Sequence, residues 1–143
     1  MTSTTHSLPG LVLKNHFHEL PLDYANYGVV VANSLLKNQR DIVYRFLQAL
    51  TEGIHVFKTQ PEKALAVLSE VGNDAQTTRT LYERLAKAMR DYPAPDARGI
   101  QAVLDSLPNP KARVASAEDY TDSSLMEEIK KSGFIERLYG KNQ

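Results

Sequence analysis

The N-terminal part of the chain contains two short apolar runs that are typical of β-strands. The first covers residues 11–13, and the second, residues 27–32, is rich in β-branched valine. The second run does not alternate between apolar and polar residues, which favours a strand buried on both faces of a sheet. We therefore expect two short strands joined by a connection over residues 15–26. The polar residues 1–10 before them are expected to be disordered.

From residue 34 onward the apolar positions recur at helical spacing. A stripe at i, i+4, i+7, i+11 and i+14 consists of Val43, Leu47, Leu50, Ile54 and Phe57. The neighbouring Ile42 and Phe46 widen this stripe, as expected for a helix packed on two neighbours. Gly53 interrupts it at a cost of about 1 kcal/mol relative to alanine, so we expect a close backbone contact there.

Capping residues and prolines divide the rest of the helical region. Thr59 and Glu62 predict a capping box at the start of a second helix. Asp74 and Asp96 are suited to cap a third and a fourth helix, and a loop to about Thr121 precedes the last helix.

The predicted inward positions are Leu81, Leu85, Ala88 and Met89 in the third helix, Ile100, Val103, Leu104 and Leu107 in the fourth, and Leu125, Met126 and Ile129 in the last. A final apolar segment with Phe134, Ile135 and Leu138 is expected to dock on the body. Two strands followed by about five helices give an α/β fold that is dominated by helices.

Composition narrows the function classes. The chain has 143 residues, 17 Lys plus Arg and 17 Asp plus Glu, and therefore a formal net charge of zero. This balance gives no reason to expect a nucleic-acid partner. The absence of cysteine excludes disulfides, thiolate metal sites and cysteine nucleophiles.

Residues that would indicate catalysis or a metal are sparse. The nucleophile elbow, the phosphate loop and the dinucleotide glycine motif are all missing, so we predict no enzyme activity and no cofactor. His16 and His18 share one face of an extended segment beside Glu19, but no spacing argument brings His6 or His55 close. We interpret these histidines as exposed rather than as metal ligands.

Several segments occur in an order that resembles one protein family. They are LPLDYANYGVVV (residues 20–31), NQRDIVYRFLQAL (38–50), FKTQPEKAL (57–65), YP followed by GIQAVLD (92–105) and SGFIERLYG (132–140). Together they resemble the C-terminal part of SsuA-like ABC-transporter substrate-binding proteins of the nitrate, sulfonate and taurine class. The resemblance spans residues 11–140, with 141–143 as a tail.

This resemblance implies a type II periplasmic-binding-protein fold of two lobes. In that family a small organic anion or related solute binds between the lobes, and the closed form is presented to an ABC permease. Family members are longer, begin with an export signal and build most of the cleft from upstream residues. We therefore expect a truncated member with a partial fold. The family is periplasmic, whereas this chain, which begins without a signal peptide, is expected to stay in the cytoplasm.

Three polar residues before the second strand are the predicted ligand-binding site. Tyr24, Asn26 and Tyr27 can hydrogen-bond an anionic or amide ligand, and loops at strand ends often line ligand sites. The same residues also suit a turn in which the aromatic rings pack on the helices, and this reading is the more common one for such residues.

A different function class remains open beside solute binding. The chain also fits a standalone helical protein–protein interaction module, which would self-associate through the face that the missing lobe leaves uncovered. A non-functional truncated remnant is the third alternative. A large exposed apolar patch would indicate such an interface.

Overall fold

The computed structural model describes residues 28–72 and 74–140, and over these ranges the chain is built from helices. The helices are α1 (Asn33–Asn38), α2 (Arg40–Thr59), α3 (Pro61–Ser69), α4 (Ala75–Ala88), α5 (Ala97–Ser106), α6 (Pro110–Arg113), a 3₁₀ helix (Ala117–Tyr120), α7 (Ser124–Lys131) and α8 (Phe134–Tyr139). Two of these elements, α6 and the 3₁₀ helix, lie where a loop was predicted.

The predicted α/β fold is wrong for the part of the chain that the structure describes. No strand forms between residues 28 and 140 outside position 73, and residues 28–32 are neither strand nor helix. A strand needs a neighbour to accept and donate its backbone hydrogen bonds, and the helices offer none. Val30 is 96% exposed, so this segment is not buried on both faces. The other predicted strand, at 11–13, lies outside the described residues.

Helix α2 is the element on which most of the others pack. It contacts α1, α3, α7 and α8, and α3 in turn packs against α4. Helix α5 packs instead on α6 and on the 3₁₀ helix. A tilted ring contact between Phe57 and Tyr82, with centroids 5.4 Å apart, also joins α2 to α4. The long amphipathic helix predicted from the apolar stripe therefore organises the described fold.

The hydrophobic core forms where α2 meets α7. Val43 and Leu47 of α2 lie buried against three residues of α7, which are Leu125, Met126 and Ile129. These residues were predicted to face inward, and that prediction is confirmed. Around them pack the partly buried Val31, Leu36, Tyr44, Tyr92, Phe134 and Ile135. The predicted docking of the last apolar segment is thus also confirmed, through its first two residues.

The prediction that two further residues widen the buried stripe of α2 is wrong. Ile42 and Phe46 are 51% and 52% exposed and lie outside the stripe. Ala49 and Gly53 are exposed as well, and no atom lies within 4 Å of a Cβ built on Gly53. The close contact expected at that glycine is therefore not formed within residues 28–72 and 74–140. We call Ile42, Phe46, Ala49 and Gly53 the outer row of α2.

Smaller corrections concern the other inward positions. Ala88, Met89 and Leu107 lie at or beyond the ends of their helices and are exposed, although they were predicted to face inward. Because the last turn of a helix has fewer neighbours to cover it, periodicity alone overestimates burial there.

The helix starts follow the predicted caps in two of three cases. The Asp74 side chain accepts hydrogen bonds from the backbone N–H groups of Gln76 and Thr77, and Asp96 accepts one from Gly99. The capping box at Thr59 is wrong, because α2 continues through this residue and its hydroxyl donates to the carbonyl of His55 at 2.7 Å. Helix α3 follows after Gln60 and has Pro61 in its first turn, a position where the missing N–H costs nothing.

A left-handed glycine reverses the chain between the last two helices. Gly133 has φ +73°, a conformation that residues with a side chain rarely adopt. The turn lets α8 fold back on α7 and α2, which brings Phe134 and Ile135 onto the core. The predicted end of the last helix near this glycine is confirmed, and the segment after it is itself helical.

We expect Ile129→Ala to destabilise the fold strongly. Ile129 is 0% exposed at the centre of the core, and removing its side-chain carbons would leave a cavity at a cost of about 2–5 kcal/mol in the free energy of unfolding. Urea denaturation followed by circular dichroism measures this cost. Val114→Ala is the control, because Val114 is 86% exposed. Equal effects of the two substitutions would contradict the proposed core.

The cap of α4 predicts a dependence of stability on acid pH. The Thr77 hydroxyl, followed by backbone N–H groups, lowers the pKa of Asp74 below its ordinary value of 3.8. The ionised form therefore stabilises the fold above this value, and the contribution is lost as the pH falls through the lower folded-state pKa. Asp74→Asn keeps an acceptor oxygen but cannot titrate.

We expect the Asp74→Asn variant to lose less stability than the wild type between about pH 5 and about pH 2, as measured by urea denaturation. Thr77→Val, which removes the hydroxyl donor, should reduce the same pH dependence in part. If Asp74→Asn follows the wild-type pH profile, the cap carboxylate does not contribute in this way.

Candidate functional site

The predicted ligand-binding residues lie outside the part of the chain that the structure describes. Tyr24, Asn26 and Tyr27 lie outside the described residues, as do His16 and His18. Among residues 28–72 and 74–140, no three His, Asp or Glu side chains are grouped so that they could hold a metal ion. The candidate site therefore has to be found among other residues.

An open cleft of about 190 Å³ lies where α7, α8 and the segment after α4 meet. It is lined by Asp91, Tyr92, Lys130, Ile135, Glu136 and Tyr139. Two tyrosine rings and one isoleucine give it an apolar floor, while three ionisable groups surround that floor. This combination of a mostly apolar surface with a few polar groups is usual for small-molecule sites, although such sites usually exceed about 300 Å³.

A lysine from α2 fixes one side of the cleft. The Lys58 ammonium donates to the Asp91 carboxylate at 2.5 Å and to the carbonyl of Met89 at 3.1 Å. Both side chains of the ion pair are partly shielded from solvent. The pair therefore ties the segment after α4 to α2, and the Asp91 carboxylate is already engaged.

Tyr139 closes the same corner from α8. Its hydroxyl donates to the backbone carbonyl of Asp91 at 2.6 Å, and burial, followed by the nearby negative charge of Asp91, raises its pKa above 10.0. The ring meets that of His55 edge-on, with centroids 4.7 Å apart. The buried Nδ1 of His55 has no hydrogen-bond partner among the described residues. This corner is a structural joint between α2, α8 and the segment after α4.

Lys130 provides the positive charge on the opposite side. Its ammonium lies 5.9 Å from the centre of the Tyr92 ring and 3.4 Å from a carboxylate oxygen of Glu127. The nearby Tyr92 and then Glu127 raise the pKa of Lys130, which keeps it charged. The cation is therefore partly neutralised by its own neighbours.

No family model, no curated protein and no solved structure matches this chain.

Two of the charged groups that line the cleft already have partners. Asp91 pairs with Lys58, and Lys130 pairs with Glu127. A second open cleft of about 330 Å³ lies at the α2–α3 junction and is lined by residues 59–63. Both clefts are shallow, so neither encloses a ligand by itself. In the described ranges, no helix is both long enough and apolar enough to cross a membrane.

Sequence reasoning missed this cleft because its residues come from distant parts of the chain. Lys58 and Asp91 are 33 residues apart, and Tyr139 lies 48 residues after Asp91. Tyr92 and Tyr139 were noted only within the segments that resemble the SsuA-like family. No local pattern connects these positions, and only the packing of α8 onto α2 brings them together.

We expect Tyr139→Phe to weaken the joint without disrupting the core. Losing the hydrogen bond to Asp91 should cost about 0.5–1.5 kcal/mol in the free energy of unfolding at neutral pH. Because the folded-state pKa of Tyr139 is raised, its contribution is present below pH 10.0 and is lost as the pH rises through the folded-state value. The variant should therefore lose less stability than the wild type in alkaline solution.

Thermal melting between about pH 8 and about pH 11 measures both effects. Tyr120→Phe is the matched control, since Tyr120 is 66% exposed and should change neither quantity. An unchanged alkaline profile in Tyr139→Phe would mean that this hydroxyl does not couple titration to folding.

Proposed function

We propose that this chain takes part in capturing a small organic anion for import, and that it does so together with a second protein body. In this proposal the described helices form one wall of the assembly, and the second body supplies most of the solute site. The proposed partner is an α/β lobe of the kind that precedes the resembling segments in SsuA-like proteins.

The observation that carries the proposal is the incompleteness of the described surface. Apolar side chains that a finished protein would normally cover are exposed at the N-terminal end of the helical body, where Val30 is 96% exposed. At the same time the two clefts are open and shallow. A chain that needs a second body to form its site accounts for both features.

The sequence resemblance supports the proposal independently. It runs through residues 11–140 in one order, and the long helix it includes is present as α2 (Arg40–Thr59). The strand it implies at residues 27–32 is not formed in the described range.

The test measures solute binding with and without that body. Thermal melting of the chain alone against nitrate, taurine, alkanesulfonates and aromatic carboxylates should show no shift. After mixing with a separately expressed N-terminal lobe of a taurine- or sulfonate-binding protein, we expect a 1:1 complex in size-exclusion chromatography with light scattering. One of the solutes should then raise the melting temperature of the complex.

Two outcomes would contradict this proposal. A solute that stabilises the isolated chain would show that the site is complete without a partner. No complex with the lobe, together with no response to any solute, would remove the support for a role in import. Val30→Glu should weaken the complex while leaving the helical circular dichroism spectrum unchanged, since Val30 contacts solvent in the isolated chain. Val114→Glu is the matched control, because Val114 is also apolar and exposed but lies far from Val30 in the sequence, and it should leave the complex intact.

A helical protein–protein interaction module is the second candidate function. The observation that favours it is the outer row of α2, which forms an apolar strip on a helix that is otherwise well packed. Such a module requires no solute, and its partner would be a helix of matching shape.

A further inference from the structure

We propose that the outer row of α2 is a homodimer interface, in which α2 of a second copy packs antiparallel against it around a two-fold axis. This inference deepens the second candidate function, because it names the surface and the partner. The partner is another copy of this chain, and the argument rests on spacing, side-chain size and charge along one helix.

The spacing of the outer row is that of a helix–helix seam. Ile42, Phe46, Ala49 and Gly53 follow one another at steps of four, three and four residues. These steps keep apolar residues along one narrow line of a helix, as at the a and d positions of a coiled coil. Because the core stripe of Val43 and Leu47 already faces α7, the outer row is a second, separate line.

The sizes of the four side chains favour an antiparallel pair. The two large residues, Ile42 and Phe46, lie in the N-terminal half of the row, and the two small ones, Ala49 and Gly53, lie in the C-terminal half. A two-fold axis between Phe46 and Ala49 sets each Phe46 against Ala49 of the second copy. The same axis sets each Ile42 against Gly53 of the second copy.

Every layer of this arrangement therefore combines one large and one small residue, as close packing requires. A parallel pair would instead oppose the two Phe46 rings and leave a gap between the two Gly53 residues. Apart from the backbone of α2 itself, no described residue has an atom within 4 Å of the Cβ position of Gly53, which leaves room for a side chain from outside. A two-fold interface of this kind is self-complementary, as isologous dimers are.

The charges beside the row are complementary in the same arrangement. Arg45 and Glu52 lie on the same flank of the outer row and are both exposed. A two-fold axis brings equivalent flanks together, so Arg45 of each copy lies near Glu52 of the other. Arg45 also pairs with Asp41 of its own helix at 2.5 Å, and the guanidinium has enough N–H donors for both carboxylates.

The length of the row sets the strength of the interface. Helix α2 has 20 residues, about 30 Å of helix, and the row occupies only its central part. A contact of this size is smaller than a standard protein–protein interface. We therefore expect a weak dimer that forms reversibly as the protein concentration increases.

The test is sedimentation equilibrium of the whole chain, from roughly micromolar to roughly millimolar concentration. The wild type should pass from monomer to dimer across this range. Phe46→Glu places an unpaired carboxylate in the seam and should weaken dimerisation about a hundredfold or more. Val114→Glu is the matched control: Val114 is also apolar and exposed but lies on the segment after α6, and the dimer should persist.

Further variants at three positions test the geometry and do not depend on a charged residue in the seam. Gly53→Leu should favour the helix and raise the melting temperature of the monomer, yet weaken the dimer at least about tenfold by colliding with Ile42 of the second copy. Arg45→Glu and Glu52→Arg should each weaken the dimer, and the double substitution should restore it.

A wild type that stays monomeric at all concentrations would overturn the proposal, as would a dimer that Phe46→Glu and Val114→Glu affect equally. A dimer that Gly53→Leu leaves unchanged would overturn the antiparallel geometry. The measurement includes no solute and no second lobe, so its failure leaves the import proposal standing and can be distinguished from it.

Discussion

The described fold depends on the packing of α2 against α7. Val43 and Leu47 come from one helix, Leu125 and Ile129 from another that begins more than sixty residues later, and together they form the buried centre. Helices α1 and α8 pack on α2 and add Leu36, Phe134 and Ile135 to the edge of this centre, whereas α3 packs on α2 away from it. Burial of apolar side chains is the main force that can hold such distant segments together, because the ion pair between Arg40 and Glu128 at the same junction is largely exposed and therefore weak.

The joint around Asp91 holds the segment after α4, which has little contact with the core. The segment after α4 contributes only Tyr92 to the rim of the core, but Lys58 and Tyr139 both bind Asp91. An aspartate held through its carboxylate by α2 and through its backbone carbonyl by α8 connects three parts of the chain. The candidate cleft lies beside this joint, so its shape follows from α8 being docked correctly. Asp91 and Tyr139 line the cleft and also form the joint. For this reason the charge of Asp91 is already paired with Lys58.

Local patterns in the sequence predicted the parts of the fold that local forces determine. The buried line of Val43 and Leu47 follows from helical spacing, and the cap at Asp74 follows from its ability to accept backbone N–H groups. The strand predicted over residues 27–32 is wrong for residues 28–32, because a strand is stable only with partners elsewhere in the chain and local composition does not show whether they exist. The cleft was missed for the same reason, since no spacing relates Lys58 to Asp91. The predicted site at Tyr24 stays untested outside the described residues.

Helix α2 carries two apolar lines of residues. For this reason the sequence periodicity predicted the helix correctly but overestimated the width of its buried face. A stripe that includes Ile42 and Phe46 beside Val43 and Leu47 is wide enough for two neighbours, and the described residues supply a neighbour for only one line. A glycine in the middle of an exposed helix line lowers helix stability, and at Gly53 no contact among the described residues compensates for it. The close approach of the proposed second copy at Gly53 would provide such a contact.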